Sequence, residues 1–457
     1  MTISNLFLSA TVFVLLFVIF GNEQGTYLEH AQVPLYMLIL TEIVLILANR
    51  KFKNPLLDIL NLVFIIFFLL RVPFIYGDDL ISDVYFRSVN LDKVGYALYV
   101  LNFQLIVLSL CVIFINPVRI YDGKVIVSND VWHRVLKFTS LILFFNILHY
   151  AFVFKIGEDN LPNLFAILLA LFNYATILML LVPLLLFADK NIAVKYRNYL
   201  YLQLTICALI VMYTGSKSGL FQIAAMYLVS GLAMYGSSHR ITLRTLIIGL
   251  VLLAGATVMY LLGEIFNKIQ RAQVEFSDWH QLATLSLENL SASLNRISYR
   301  LGYLDFYIDK LTQEVYADSF RLEYYAKAFI NAVTPGFDVF DNASLVSRSV
   351  FIDYFGQSAG PNSEVVTVFA EAHHLFGYFS FIAYLFVLSV IFLIRKFGFN
   401  YSSDYCKSIF TILICLMFFR YTLGMGIDYW LFGEVIYPLI FITLSFWLMG
   451  LSRIKTA

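Results

Sequence analysis

The sequence predicts an all-α polytopic membrane protein, and three observations carry that expectation. Of 457 residues, 60% are hydrophobic and only 13% charged, where soluble domains carry about 25% charged residues. The apolar runs are unbroken and roughly 17–25 residues long, the length of membrane-spanning helices rather than of the shorter alternating strands of a barrel. Between them, short connecting segments alternate in charge along almost the whole chain, the signature of a fixed membrane orientation. The net charge of +1 gives no case for nucleic acid as a partner.

Twelve spans are expected, at 4–20, 33–48, 56–75, 95–116, 136–154, 161–187, 198–213, 218–235, 242–263, 364–394, 408–424 and 432–450. The first has no basic residue before it and no small-residue cleavage site after it, so it reads as a retained helix rather than a removed signal peptide. Segment 21–32 then carries Glu23 and Glu29 with no Lys or Arg, whereas 49–55 carries Arg50, Lys51 and Lys53. Segment 76–94 is acidic on balance, with Asp78, Asp79, Asp83 and Asp92 against Arg87 and Lys93, and 117–135 is basic through Arg119, Lys124 and Arg134. Lys190, Lys195 and Arg197 mark the next basic segment, then Arg240, then Arg395, Lys396 and Lys407, and the tail holds Arg453 and Lys455. Basic segments lie on the cytoplasmic side, so both termini are expected there. The chain divides into spans one to nine (1–263), a long outer segment (264–363) and spans ten to twelve (364–457).

The outer segment is too long to be a mere connection and apolar enough to be ordered. Leu287, Leu290, Leu294, Ile297, Leu301 and Leu304 form one stripe at helical spacing, predicting an amphipathic helix over 278–305 with Ser277 as its N-cap. Arg296 and Arg300, at i and i+4, fall on another face. A second amphipathic stretch covers 321–333 and stops at Thr334-Pro335-Gly336. Eight basic residues sit here, including Lys268, Arg271, Lys310, Arg321, Lys327 and Arg348. They favour an anionic ligand, although helices of this kind also serve simply to cap a bundle. The four cysteines lie in or beside apolar runs and none lies in this segment, so no disulfide framework is expected.

Ionisable residues inside spans are costly and tend to mark function. The expected orientation puts Arg71, Arg420, Glu371, His373 and His374 in the outer half of the membrane, with Lys217 at an outer turn. Glu42 lies in the second span, and Glu264 and Glu434 lie near span ends, Glu434 at the start of the last. The blander reading is structural: Arg71 pairs with Glu42 or Glu371, or snorkels to the surface. Arginine recognises phosphate through a planar fork of donors, and a buried Glu or His can take a proton from a hydroxyl. The set therefore suits transfer of a group from a pyrophosphate to a hydroxyl. No metal-ligand motif, P-loop or cysteine pairing is present, and His373 and His374, being adjacent, diverge on one helix; this disfavours a metal-dependent transferase, an alternative that the acidic outer residues Asp78 and Asp79 keep open. No cofactor is expected.

The layout resembles that of bacterial O-antigen polymerases of the oligosaccharide repeat-unit polymerase type: about twelve helices, cytoplasmic termini, and one large periplasmic loop before the last three spans. Thr214-Gly215-Ser216-Lys217-Ser218-Gly219 resembles the Gly-Ser-Arg-like turn of that group, with Lys217 in place of the usual Arg. Pro361-Asn362-Ser363 followed by Phe369-Ala370-Glu371-Ala372-His373-His374-Leu375-Phe376-Gly377 resembles its post-loop stretch. The resemblance implies a fold similar to GT-C membrane glycosyltransferases, without metal or nucleotide sugar, in the bacterial inner membrane. It implies transfer of the growing glycan from undecaprenyl pyrophosphate to the non-reducing end of a lipid-linked repeat unit. Arg296, Arg300, Arg420, Lys217 and Arg71 would hold the pyrophosphate, Glu371, His374 or His373 would act as base, and a chain-length regulator protein would be a partner. An O-antigen ligase is the nearest rival, but that group tends to carry His-Asn where this chain has Pro361-Asn362. A flippase for lipid-linked oligosaccharide would want a polar pathway through the full membrane and matched halves; here the polar groups gather on one side.

Overall fold

A computed structural model describes residues 2–20, 28, 31–73, 91–115, 127–156, 174–187, 194–213, 217–236, 302–312, 320–333, 367–424 and 426–451. Over them the chain is helical throughout, with no strand. The first eight helices are α1 (Ile3–Phe20), α2 (Gln32–Phe52), α3 (Pro55–Phe64), α4 (Leu91–Ile115), α5 (Asn129–Ile156), α6 (Tyr174–Phe187), α7 (Val194–Tyr213) and α8 (Lys217–Tyr235). Within the expected outer segment lie α9 (Tyr303–Thr312) and α10 (Leu322–Val333). The remainder comprises α11 (Val368–Phe376), α12 (Phe381–Phe399), α13 (Asp404–Thr422), the short α14 (Ile427–Tyr429) and α15 (Tyr437–Leu448). Five-residue hydrogen-bond spacing interrupts the regular helix twice, at Ile65–Leu69 after α3 and at Trp430–Ile436 between α14 and α15. Such π segments are frequent at functional sites.

Seven of these helical stretches are long and apolar enough to cross a membrane. They correspond to α1, α2, α4, α5, α12, α13 and the stretch Ile427–Leu448. Their outward faces expose large apolar side chains, among them Val44 (63%), Phe114 (78%), Leu393 (64%) and Trp447 (65%). Apolar surface repeated on helix after helix has no place in water and suits a hydrocarbon surround. The inward faces form one continuous core. Its axis is α13, almost entirely buried, which packs against α3, α6, α8 and α12.

Helix ends meet as the charge alternation assigns them. Asn54 caps α3 by accepting from the Leu56 N–H at 3.0 Å, with Pro55 at the first helical position, where its missing N–H costs nothing. Asn49 at the end of α2 donates to the Asn54 carbonyl at 3.1 Å and to Asp58 Oδ1 at 2.6 Å. Asn54 Nδ2 donates on to the Val112 carbonyl near the end of α4 at 3.3 Å. Arg50 reaches Ser4 Oγ at 2.9 Å and Asn5 Oδ1 at 2.8 Å at the start of α1. Similarly, Arg134 at the start of α5 donates to the Met449 carbonyl beyond α15 at 3.3 Å. In both clusters the meeting ends are those expected on the basic side.

Two expectations change in detail. The stretch read as one span over 364–394 is broken: α11 ends at Gly377, whose φ of 55° is a conformation that favours glycine, and the long apolar helix begins at Phe381. In the outer segment, α9 is not a surface cap. Asp305, Asp309 and Lys310 are all buried, and α9 packs on α4, α11 and the π segment after α3. Most of the helix expected over 278–305, and its Ser277 cap, lie outside the described residues.

Glu42 has no surface exposure, and neither carboxyl oxygen has a hydrogen-bond partner among the described residues. Burying a polar group without a partner costs about 1–3 kcal/mol. Glu42→Met is therefore expected to stabilise the fold by about that amount, read as a raised midpoint of unfolding in detergent. A lowered midpoint would mean that the carboxyl contributes to packing.

Candidate functional site

Glu371, His373 and His374 lie on α11, and Arg71 reaches that helix through α9. Aromatic packing sets its start: Phe369 lies edge-on to Phe64 (6.4 Å) and Phe68 (5.7 Å), and Tyr303 of α9 packs on Phe67 (4.8 Å) and Phe68 (6.2 Å). A backbone clamp holds the residue before the helix. Thr367 has φ 52°, a left-handed conformation that a β-branched side chain rarely adopts. Its backbone N and Cα both lie 2.6 Å from where a Cβ on Gly424 would stand, so only glycine fits that position. Strain of this kind persists where the surroundings over-determine it and clusters at functional sites.

The clamp brings the chain beyond α13 onto Glu371, which is buried. Glu371 Oε1 accepts from the Tyr325 hydroxyl of α10 at 2.7 Å and from the Ile427 N–H at 2.8 Å. Oε2 has no hydrogen bond among the described residues. A Cβ on Gly426 would stand 2.8 Å from Asp428 Oδ1 and 3.7 Å from Glu371 Oε1, so a second carboxylate lies close by. Asp428 Oδ1 accepts from the Tyr429 N–H at 2.8 Å.

His374 is held on two sides. Its Nε2 lies 2.9 Å from the Lys310 carbonyl, which can only accept, so Nε2 carries the proton and the neutral ring keeps its lone pair on Nδ1. The ring stacks on Phe320 at 4.7 Å and 2°. His373 diverges as expected for neighbours on a helix, with its ring plane 73° from that of His374. It sits against Tyr96 (6.5 Å) and Tyr378 (6.2 Å), with Nδ1 buried and without a hydrogen bond among the described residues.

Arg71 joins the cluster through α9. Its Nε donates to Asp305 Oδ2 at 2.6 Å, both side chains being buried. The partner is thus neither Glu42 nor Glu371, the pairings the sequence suggested. The pair leaves the Nη groups without a hydrogen bond among the described residues. One short helix therefore links the segment after α3 to α11, with Asp305 on Arg71 and the Lys310 carbonyl on His374. The Lys310 ammonium lies 4.8 Å from the centre of the Phe306 ring.

Arg420, at the end of α13, faces Glu434 of the second π segment at 3.8 Å, an ion pair too long for a good hydrogen bond. Lys217 is the first residue of α8. Arg296 and Arg300 lie outside the described residues. Sequence reasoning passed over Asp305, Tyr325 and Asp428. Asp428 carried a usable signal, an acidic residue between two closely spaced apolar runs. Tyr325 and Asp305 carried none, because their partners are distant in the chain. No family model, curated protein or solved structure matches this chain.

Proposed function

We propose that the chain is a metal-independent membrane glycosyltransferase that polymerises a surface glycan. It moves the growing chain from undecaprenyl pyrophosphate to the non-reducing sugar of a lipid-linked repeat unit. The layout behind this reading is twelve spans in a bacterial inner membrane, cytoplasmic termini, and segment 264–363 in the periplasm, with a chain-length regulator as a partner. The single observation that carries it is the state of Glu371: one carboxylate oxygen fixed by two donors, the other without a hydrogen bond among the described residues, beside helix ends. That is how a general base is prepared, since orientation is set before substrate arrives.

In the proposed reaction the acceptor hydroxyl gives its proton to Glu371 Oε2. The hydroxyl oxygen bonds to the anomeric carbon of the growing glycan. The bond from that carbon to the pyrophosphate oxygen breaks, and undecaprenyl pyrophosphate leaves with the electron pair. Charge builds on the leaving group, where guanidinium groups are most effective. Arg71 is suited to this because Asp305 anchors its Nε and leaves the Nη fork to phosphate. Arg420, held loosely by Glu434, supplies a second cation. Lys217, Arg296 and Arg300 complete the proposed set. His373 and His374 flank the base, and His374 Nδ1 offers a second acceptor for the proton.

The test is direct. Purified protein in liposomes, given only lipid-linked repeat units, should produce a ladder of lengthened glycans and release undecaprenyl pyrophosphate. Units that stay single, in a preparation whose thermal unfolding shows it to be folded, would overturn the proposal. Movement of single units across the bilayer without lengthening would favour a flippase.

A further inference from the structure

The helix α10 divides into three sectors. At about 100° per residue, Leu322, Ala326 and Phe329 share one stripe, and all three are exposed, Leu322 at 61% and Phe329 at 46%. Lys327 lies about 140° around the helix from Leu322 and forms an i,i+4 ion pair with Glu323, whose own side chain is 66% exposed. The hydrogen bond from Lys327 holds the Glu323 carboxyl below its usual range. The third sector faces the protein, where Tyr325 is hydrogen-bonded to Glu371.

The depth of this helix is fixed by what Tyr325 touches. Glu371 is bonded to Ile427, the first residue of the last apolar stretch, and Gly424, packed on Thr367, lies just beyond the end of α13. Exposed aromatic side chains lie close by: Tyr96 of α4 and Tyr378 both pack on His373, Phe379 follows before α12, and Tyr429 is two residues past Ile427 in α14. Tyrosines ring the boundary between hydrocarbon and water in membrane proteins. A helix at that level, with apolar and charged sides separated, has the form of one lying in the interface.

We infer that α10 rests on the lipid bilayer, with Leu322, Ala326 and Phe329 in the outer edge of the hydrocarbon and the Glu323–Lys327 pair in water. Tyr325 then ties a lipid-seated helix to Glu371 through a single hydroxyl. The inference does not depend on the proposed reaction. It gives any lipid-borne ligand a physical route of influence, since lifting α10 off the bilayer pulls one of the two donors from Glu371.

Collision experiments with a nitroxide test the seating. Leu322→Cys, Phe329→Cys and Lys327→Cys would be labelled separately in liposome-reconstituted protein, with labelled wild type subtracted as background. At 322 and 329 relaxation should be enhanced severalfold more by oxygen, which partitions into lipid, than by a water-soluble nickel chelate. At 327 the order should reverse. Using two apolar positions guards against one variant failing to fold. Nickel-dominated relaxation at both 322 and 329, or shielding of both from either reagent, would overturn the inference.

Discussion

Asp305→Ala will destabilise the folded protein by about 3–5 kcal/mol, the usual cost of leaving one member of a buried ion pair alone. Arg71 is 6% exposed and Asp305 4%, and the Nε–Oδ2 distance of 2.6 Å is short for a charged hydrogen bond. Removing the carboxylate strands a guanidinium in a place with little water to solvate it. The loss extends beyond the pair, because Asp305 sits on α9 and α9 also supplies the carbonyl that orients His374. The measurement is the unfolding midpoint in detergent for Asp305→Ala, then for the singles Asp305→Met and Arg71→Met and the double variant Arg71→Met/Asp305→Met. The double should recover most of the single losses, since two apolar groups of similar size remove both charges at once. Simple additivity of the two losses would mean that the pair is not energetically coupled.

That pair also shows where sequence reading stops. The all-helical class, the apolar helices and the grouping of basic helix ends were legible, because hydrophobic run length and charge bias are local in the chain. The helix Leu322–Val333 was expected at 321–333, since its stripe and its terminating Pro335 are local too. The break at Gly377 was not, because Val368–Phe399 is apolar enough on either side for the glycine to pass as tolerated helix. Nor was the burial of α9. Asp305, Asp309 and Lys310 make it look like a water-facing segment, and its interior position rests on a partner 234 residues away in the chain. Glu371 was found because a carboxylate in an apolar run is conspicuous. Tyr325, the group that orients it, was not, because a tyrosine on an amphipathic helix is unremarkable until its hydroxyl has somewhere to go.

Glu371→Gln should reduce glycan lengthening by at least about 10²-fold, the lower range for loss of a positioned acid or base, while the protein stays folded and in the membrane. The substitution isolates chemistry from structure. A glutamine placed with its amide oxygen at Oε1 still accepts from the Tyr325 hydroxyl and the Ile427 N–H, the two bonds that fix the side chain. The other position becomes an NH2, which cannot take a proton. Tyr325→Phe is the complementary variant. It keeps the carboxylate but removes one of its two donors, so the loss should be smaller, about tenfold, from looser positioning. His374→Gln tests a second candidate, since the ring stacks on Phe320 and, with Nε2 on the Lys310 carbonyl, leaves Nδ1 to accept. If His374 is the base, His374→Gln abolishes the ladder and Glu371→Gln leaves most of it. The geometry favours the reverse, because Glu371 has one oxygen immobilised and the other without a hydrogen bond among the described residues. A wild-type ladder from Glu371→Gln at equal membrane abundance would remove Glu371 from the reaction and leave its two donors a purely structural role in joining α10 and α14 to α11.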